Sequence, residues 1–450
     1  MSSLADKSFS LFNRELLFTG IHIVTGAIVA RKLGPSGFGL WAMFELVINY
    51  CRVFGGPRLE IAAVHFLGKK TIDPAELLSL INYVGFGLGV GIFLLLSMGQ
   101  EILSEFFFKT TLSSFFISFV FAYIPFRFLL RNYMYIFLSQ EDVKSYNRLM
   151  LIHDSCKGIV NIVLLVVFNM NLWSVAIAFH VSNLIALIYG ISVVHRKIPW
   201  RWKTSCARLP ELLRYSMKIY LSEAIGFLTI YFSNMVTAIL LVPAALGFFA
   251  MAKGKAEYLN RISNAIGTIL FPHVSNLNGM NCDSRKITER VFRLSFITFI
   301  IAGIFLALII YPATLILYGR AFLPSVDAFF IILPGLILFG PSSLLRQYFL
   351  GIGRPEIPMY IQIVPLILQI VLCFMLIPPF RIIGGALAVS ISFLVTSVIT
   401  VIIYKKISSG LYKEFLIPKR EDFKFLWTFG WNKLIHYFKV FHFRKSPVSH

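Results

Sequence analysis

Charge is scarce in this chain. Charged side chains make up 14% of its 450 residues and only 21 of them are acidic, against a usual charged share of about 25% in soluble domains. A water-facing surface of ordinary size is thereby excluded. Cysteine is also sparse: Cys51, Cys156, Cys206, Cys282 and Cys373 lie far apart, with no CxxC pair and no histidine at metal-ligand spacing. They read as free thiols, and neither a metal nor a cofactor is expected. No two aspartates stand at the DxD spacing that holds a sugar-nucleotide metal, and no P-loop is present that could power ATP-driven transport. The opening stretch MSSLADKSFSLFNRELLF carries Arg14 and Glu15 inside its first hydrophobic segment and has no small-residue cleavage site. It is not read as a removable signal peptide.

What the chain has instead is apolar length. Residues of the AVILMFWYC set fill 57% of it, and a bilayer-crossing helix needs about 20 in succession. Runs bounded by charge, Gly and Pro lie near 11–30, 37–57, 76–98, 113–137, 150–168, 172–194, 217–242, 246–270, 294–317, 326–348, 357–378 and 383–404. They are too long for the roughly ten-residue alternating strands of an outer-membrane barrel. The expected fold is an all-α polytopic membrane protein with twelve transmembrane helices.

The net charge of +21 would point to nucleic acid in a soluble protein, but in a membrane protein Lys and Arg collect in the loops kept in the cytoplasm. With an even number of spans, one side takes Lys7, Arg14, Lys69, Lys70, Lys144 and Arg148, the basic stretch between Arg196 and Arg214, Arg285, Lys286, Arg290, Arg293, Arg354 and the tail. The other holds only Arg31, Lys32, Lys109, Arg320 and Arg381. Both termini are therefore expected in the cytoplasm, and topology accounts for the charge without a nucleic-acid partner.

The two halves repeat. Laying 33–43 (LGPSGFGLWAM) on 241–251 (LVPAALGFFAM) matches Leu33 with Leu241, Pro35 with Pro243, Gly39 with Gly247, Ala42 with Ala250 and Met43 with Met251, and the same register sets Glu15 on Glu223. Six spans per copy give copies of like orientation, related by a pseudo-two-fold axis along the membrane normal. The expected division is a six-helix lobe at 1–194, a basic cytoplasmic linker at 195–216, a second six-helix lobe at 217–404 and a basic amphipathic cytoplasmic tail at 405–450, with a central cleft between the lobes.

Ionisable residues inside spans are costly, at about 2.5–3.5 kcal/mol each on insertion scales, so clusters of them point to a protein-lined, watered cavity. Glu45, Asn49 and Arg52 form one helical stripe in the second run; Lys253, Glu257 and Arg261, continued by Asn264, form another in the eighth. The repeat register sets 45 on 253 and 49 on 257. Both stripes are expected to face the cleft, although Lys253, Glu257 and Arg261 could instead neutralise one another. Lys255, Arg52 and Arg58 have no evident carboxylate neighbour in sequence, which leaves a positive surplus suited to a phosphorylated headgroup. Candidate substrate-binding residues are thus Arg52, Lys253, Lys255, Arg261, Arg58, Arg127, Arg131, Asn49 and Asn260. For Arg127 and Arg131, snorkelling to lipid phosphates is the competing account, and Arg346 reads as an interface anchor. Coupling or gate candidates are Glu45, Glu257, Asp154, Glu15 and Glu223. Asp154 could simply pair with Lys157, and Glu15 and Glu223 with Arg14 and Lys218. Gly85, Gly87, Gly89 and Gly91 make two overlapping GxxxG spacings, a sign of close helix packing.

LGPSGFGLWAM at 33–43, LYGRAFLPSVDAFFIILPGLILFGPSSLLRQYFLGIGRPEIP at 317–358 and IIGGALAVSISFLVTSVITVIIY at 382–404 resemble the polysaccharide flippases, the Wzx-type members of the MATE-like exporter superfamily. The resemblance runs over most of 10–425. It implies a non-enzymatic transporter of the bacterial inner membrane that moves an undecaprenyl-diphosphate-linked oligosaccharide, such as an O-antigen repeat unit, from the cytoplasmic to the periplasmic leaflet. The implied partners are the lipid-linked oligosaccharide, membrane lipids, a polysaccharide polymerase and glycosyltransferases. One departure is visible: the seventh span of relatives often carries an Asp before the PAALG turn, and here that stretch reads YFSNMVTAILLVPAALG, with Ser233 and Asn234. Within the same superfamily the alternatives are a drug or cation exporter, disfavoured by the excess of Lys and Arg, and a flippase of the peptidoglycan precursor. A membrane glycosyltransferase or polymerase is the alternative from the enzyme class, and it lacks large extramembrane catalytic loops.

Overall fold

A computed structural model describes residues 2–68, 73–140, 142–201, 208–279, 284–354 and 356–408. The expected tail beyond 408, residues 202–207 of the linker, Cys206 and Cys282 lie outside the described residues. So do the side chains of Arg14, Glu15 and Lys218. The described residues are helical and contain no strand.

In chain order the helices are α1 (Ser2–Phe54), α2 (Leu59–Gly68), α3 (Pro74–Met98), α4 (Gln100–Ile102), α5 (Ser114–Phe121), α6 (Tyr123–Ser139), α7 (Val143–Val166), α8 (Asn171–Val194), α9 (Leu209–Leu240), α10 (Pro243–Gly279), α11 (Arg285–Leu317), α12 (Pro324–Gly351) and α13 (Glu356–Ser408). A straight helix of 53 residues would run about 80 Å, well over twice the roughly 30 Å of bilayer hydrocarbon. Neither α1 nor α13 does so. In α1 the path breaks at Gly34 (φ 66°), a conformation glycine reaches freely, just before Pro35, which lacks an N–H. In α13 it breaks at Arg381 (φ 51°), after Pro378 and Pro379.

Among the described residues, eight helices are long and apolar enough to cross a membrane by composition. Large apolar side chains such as Met98 (87% exposed) and Leu308 (73%) face outward, as a lipid-covered surface requires.

The helices pack as two compact units. The first comprises the described residues to Tyr258 with Ile309–Ile332 and Gln362–Ser392. One of its cores joins Leu59 and Phe66 of α2, Leu78 of α3, Tyr133 and Phe137 of α6, Leu149 of α7 and Leu187 of α8. Of the four spaced glycines, Gly89 and Gly85 let α3 approach α6: a Cβ on Gly89 would press on the Pro125 backbone and one on Gly85 would touch Asn132. Gly87 and Gly91 face open space, so one GxxxG spacing makes the helix contact and the other does not. The second unit comprises Leu259–Leu308, Leu333–Ile361 and the described residues from Phe393. Its core gathers Leu270, Phe292, Leu345, Phe349 and Tyr404, and Ser263 Oγ donates to the Gly340 carbonyl at 2.8 Å.

Candidate functional site

Below α1 the segment GGPRLE turns the chain into α2, and the turn holds Arg58 in the left-handed region (φ 55°), a costly conformation for a non-glycine residue that surrounding contacts must hold. Three partners do so. Arg58 Nε donates to Glu60 Oε1 at 2.5 Å, Nη2 donates to the Tyr135 hydroxyl at 3.1 Å, and the guanidinium pairs with Glu223 of α9. Arg131, on α6, shares Glu60 at 3.1 Å and donates to the backbone carbonyl of Arg52 at 2.7 Å. Glu60 is only 1% exposed. The expectation that Arg58 lacks a carboxylate neighbour is thus corrected: Glu60 stands two positions on, brought back by the turn. Glu223 meets Arg58, and Arg131 reaches protein groups rather than lipid phosphate. Glu60 is the residue that spacing arguments miss, because i and i+2 do not share a face in a helix and the turn has to be known first.

Two guanidiniums remain uncommitted. Arg52 is half-buried and its Nε has no hydrogen-bond partner among the described residues. Its electrostatic neighbours are Arg127 and Arg58 of like charge, with Glu223 opposite. Arg127 has Nη1 at 3.5 Å from His153 Nε2. Since a guanidinium only donates and carries five N–H groups, this pair offers several donors to an anion. Asn49 sits half-buried on the stripe between Glu45 and Arg52.

The lysines are spent differently. Lys253, 3% exposed, donates to Asn234 Oδ1 at 2.8 Å and to the Ile230 carbonyl of α9, with the Tyr231 ring 5.3 Å away and Glu257 as an electrostatic neighbour. Lys255 donates to Thr314 Oγ1 at 2.8 Å and lies over the Tyr318 ring at 4.6 Å. Asn260 and Arg261, also on α10, are half-buried and belong to the second unit, as does Arg346, whose guanidinium lies over the Phe339 ring at 4.6 Å. The structure therefore brings Arg52, Arg58, Arg127 and Arg131 together with Glu60 and Glu223.

Beside this cluster lies a cavity of about 190 Å³ whose wall includes His22, Trp41, Glu45, Asp154, Lys157 and Asn161. Asp154 Oδ1 meets His153 Nδ1 at 2.8 Å, whereas the Lys157 ammonium lies 5.3 Å from the Phe179 ring. The local partner of Asp154 is His153.

Around Gly39 the repeated segments meet. A Cβ on Gly39 would overlap the Pro243 carbonyl, and one on Gly247 would overlap the Pro35 carbonyl. Positions that the repeat register pairs in sequence thus pack against one another. Nearby, the Arg31 guanidinium donates to the Leu317 carbonyl at 2.9 Å and to that of Ile316, and Lys109 Nζ donates to the carbonyls of Ile239 (2.6 Å) and Leu241 (3.1 Å). Both cations cap C-terminal ends of helices, where free carbonyls and the negative dipole end favour them.

Known proteins give this arrangement a setting. The model of a family described as "Polysaccharide biosynthesis protein" matches residues 28–327, more than half of the chain, and that of a family described as "Lipid II flippase MurJ" matches residues 259–418. The succinoglycan biosynthesis transport protein ExoT of Rhizobium meliloti (strain 1021) is 24% identical over 342 residues, which are 74% of this chain and 66% of that protein. The chain thus spans about two thirds of the length of this curated relative. Among solved structures, lipid II flippase MurJ in an inward closed conformation is similar with a TM-score of 0.75 at 14% identity, over 98% of this chain and 94% of that one. An inward-facing multidrug resistance MATE family transporter of the MOP superfamily gives 0.72 at 13% identity, over 87% and 94%. The Vibrio cholerae MATE transporter VcmN gives 0.64 at 15%, over 92% and 99%. The fold is that of these transporters.

Proposed function

Because the chain belongs to the polysaccharide biosynthesis family, we propose that it is a flippase translocating an undecaprenyl-diphosphate-linked oligosaccharide from the cytoplasmic to the periplasmic leaflet of the bacterial inner membrane. The observation that carries this reading is the pair Arg52 and Arg127, two half-buried guanidiniums with donors to spare, backed by Arg58 and Arg131 whose charge Glu60 and Glu223 already hold. Such a pair suits bidentate contacts to a diphosphate. Asn49, Lys253 and Lys255 complete the proposed wall in the first unit; Asn260 and Arg261 of the second unit are proposed as separate substrate contacts.

The proposed frame is twelve spans in two six-helix lobes, 1–194 and 217–404, related by a pseudo-two-fold axis, with both termini and the basic tail in the cytoplasm. Alternating access would open the seam at Gly39 and Gly247 on one side and the contacts of Glu223 on the other. In support, the Gly39–Gly247 packing is reciprocal, as a two-fold relation demands. Glu45, Asp154, Glu257, Glu15 and Glu223 are proposed to couple or gate the motion. A polymerase and glycosyltransferases would act on the product and supply the substrate.

One observation favours a second reading, a flippase of the peptidoglycan precursor: the match of residues 259–418 to the lipid II flippase family. Both cargoes are polyprenyl diphosphates. The test is outer-leaflet appearance of each lipid in proteoliposomes, for the wild type and for R52Q/R127Q. Loss of transport in the double variant is expected; unchanged transport of both lipids would remove the reading.

A further inference from the structure

His153 stands between the two polar features of the first unit. On one side its Nε2 faces Arg127 Nη1 at 3.5 Å; on the other its Nδ1 faces Asp154 Oδ1 at 2.8 Å. The two partners fix the imidazole's tautomer. A guanidinium has no lone pair to offer, so Nε2 must be the acceptor, and the single ring proton sits on Nδ1 and is donated to Asp154. The geometry is that of a neutral imidazole whose free lone pair occupies a donor of Arg127.

One proton changes that. With both nitrogens carrying hydrogen, Nε2 can no longer accept from Arg127, and two donors would face each other. The new charge would face the Asp154 carboxylate at 2.8 Å; the cavity behind also holds Glu45 and Lys157. The groups facing the dyad are Lys157 and His153 itself on α7, His22 and Glu45 on α1, and Arg127 and Tyr123 on α6; Arg52 of α1 acts on Tyr123. From α8 the cavity receives Val175 and Phe179, which carry no charge. A charged His153 thus faces the Asp154 carboxylate on one side and is repelled by Arg127 on the other and by Lys157 of its own helix.

We propose that His153 is a proton-operated switch on Arg127: neutral, it holds one of the guanidinium's donors; protonated, it releases that donor, and adds its own charge, toward a diphosphate. His153 is then a positioning residue that acts through Arg127, and Asp154 is its proton's counter-ion. Linkage makes the effect reciprocal: a diphosphate on Arg127 must favour the proton on His153 by the same factor that the proton favours the diphosphate. The inference rests on the headgroup reading above.

The test uses the full chain in detergent and two measurements. The probe is UDP-glucose, a sugar diphosphate diester whose phosphates stay ionised across the range, so that the ligand's own titration does not enter. Its affinity is measured from about pH 4 to 8.5, a range that reaches below the ordinary histidine window because Arg127 and Lys157 both oppose a charge on His153. In parallel, ligand-free tryptophan fluorescence is titrated, with W41F identifying the contribution of Trp41 in the cavity wall. Wild-type affinity is expected to fall roughly tenfold as pH rises, within the range of ordinary couplings, and the Trp41 signal to titrate. H153Q keeps an acceptor near Arg127 and cannot be charged; it is expected to bind weakly and without pH dependence, with the Trp41 titration flattened. R127Q is expected to bind weakly at all pH values while its Trp41 signal still titrates, which separates the anion site from the proton site. Undiminished pH dependence in H153Q would overturn the switch alone. Failure of the wild type to bind the probe at any pH, with the fluorescence titration intact, would overturn the headgroup reading and the switch with it. A response to Na⁺ at fixed pH that replaces the pH response would overturn the proton as the ligand.

Discussion

Replacing Glu60 by Gln removes the charge from the centre of the arginine cluster while keeping its shape. The carboxylate is 1% exposed and holds Arg58 at 2.5 Å and Arg131 at 3.1 Å. In the variant Arg58 keeps Glu223 and Tyr135, but Arg131 keeps only the Arg52 carbonyl and the face of Phe128. Taking one partner from a buried ion pair costs about 3–5 kcal/mol because the other charge stays buried. The contacts left to Arg58 put the expected loss at about 3 kcal/mol, the low end of that range. Sensitivity falls with size, from about 2–4 °C per kcal/mol at 150–250 residues, so a chain of this length should lose roughly 3–6 °C of apparent melting temperature. Thermal unfolding in detergent, followed by tryptophan fluorescence, measures it. A double-mutant cycle with R131Q should return a coupling of about 1 kcal/mol or more. An E60Q protein that melts with the wild type, and adds to R131Q without coupling, would refute the assignment of Glu60 as the shared counter-ion.

Three further outcomes follow from the packing. K255M should melt higher than the wild type, since a membrane-buried ammonium costs about 2.5–3.5 kcal/mol and Lys255 recovers only one hydroxyl and a ring face; a lower melting temperature would sink this. G39A should destabilise by about 1–3 kcal/mol through overpacking against the Pro243 carbonyl, with G247A matching it, and equal melting of either variant with the wild type would refute the close seam. Asp142 caps α7 through Ser145 N (3.0 Å) and Oγ (2.9 Å). Burial raises its pKa, but those bonds and Lys197 outweigh it and hold the carboxyl below its ordinary value. Its contribution is therefore complete above the ordinary carboxylate range and fades as pH falls through it. D142A should cost about 1 kcal/mol at neutral pH and melt with the wild type in strong acid. A cost independent of pH would argue against a charged cap.

The helical architecture was legible in the sequence because apolar runs of bilayer length have few other uses, and the family was legible in its turn segments. Charge at individual positions was harder. Glu45 and Arg52 fall on one stripe and Lys253 on another by period alone, yet period does not say which neighbour a long side chain reaches. Lys253 turned to the Ile230 carbonyl and Asn234, and Lys255 to Thr314, because helix packing set those oxygens beside them. Glu60 was invisible because its role depends on a left-handed residue in a turn, and His153 because one histidine next to an aspartate carries no signal until Arg127 arrives from another helix.

The two ends of the first unit are fastened by different chemistry. Near Glu60 and Glu223 the anchors of the arginines are carboxylates. Near Gly39 the anchors of Arg31 and Lys109 are peptide oxygens. A single side-chain substitution can therefore undo the first fastening, whereas no substitution removes the oxygens of the second. Pulsed hydrogen exchange of E60Q should register the difference as faster exchange around α2 with no change at the C-terminal turns of α9 and α11.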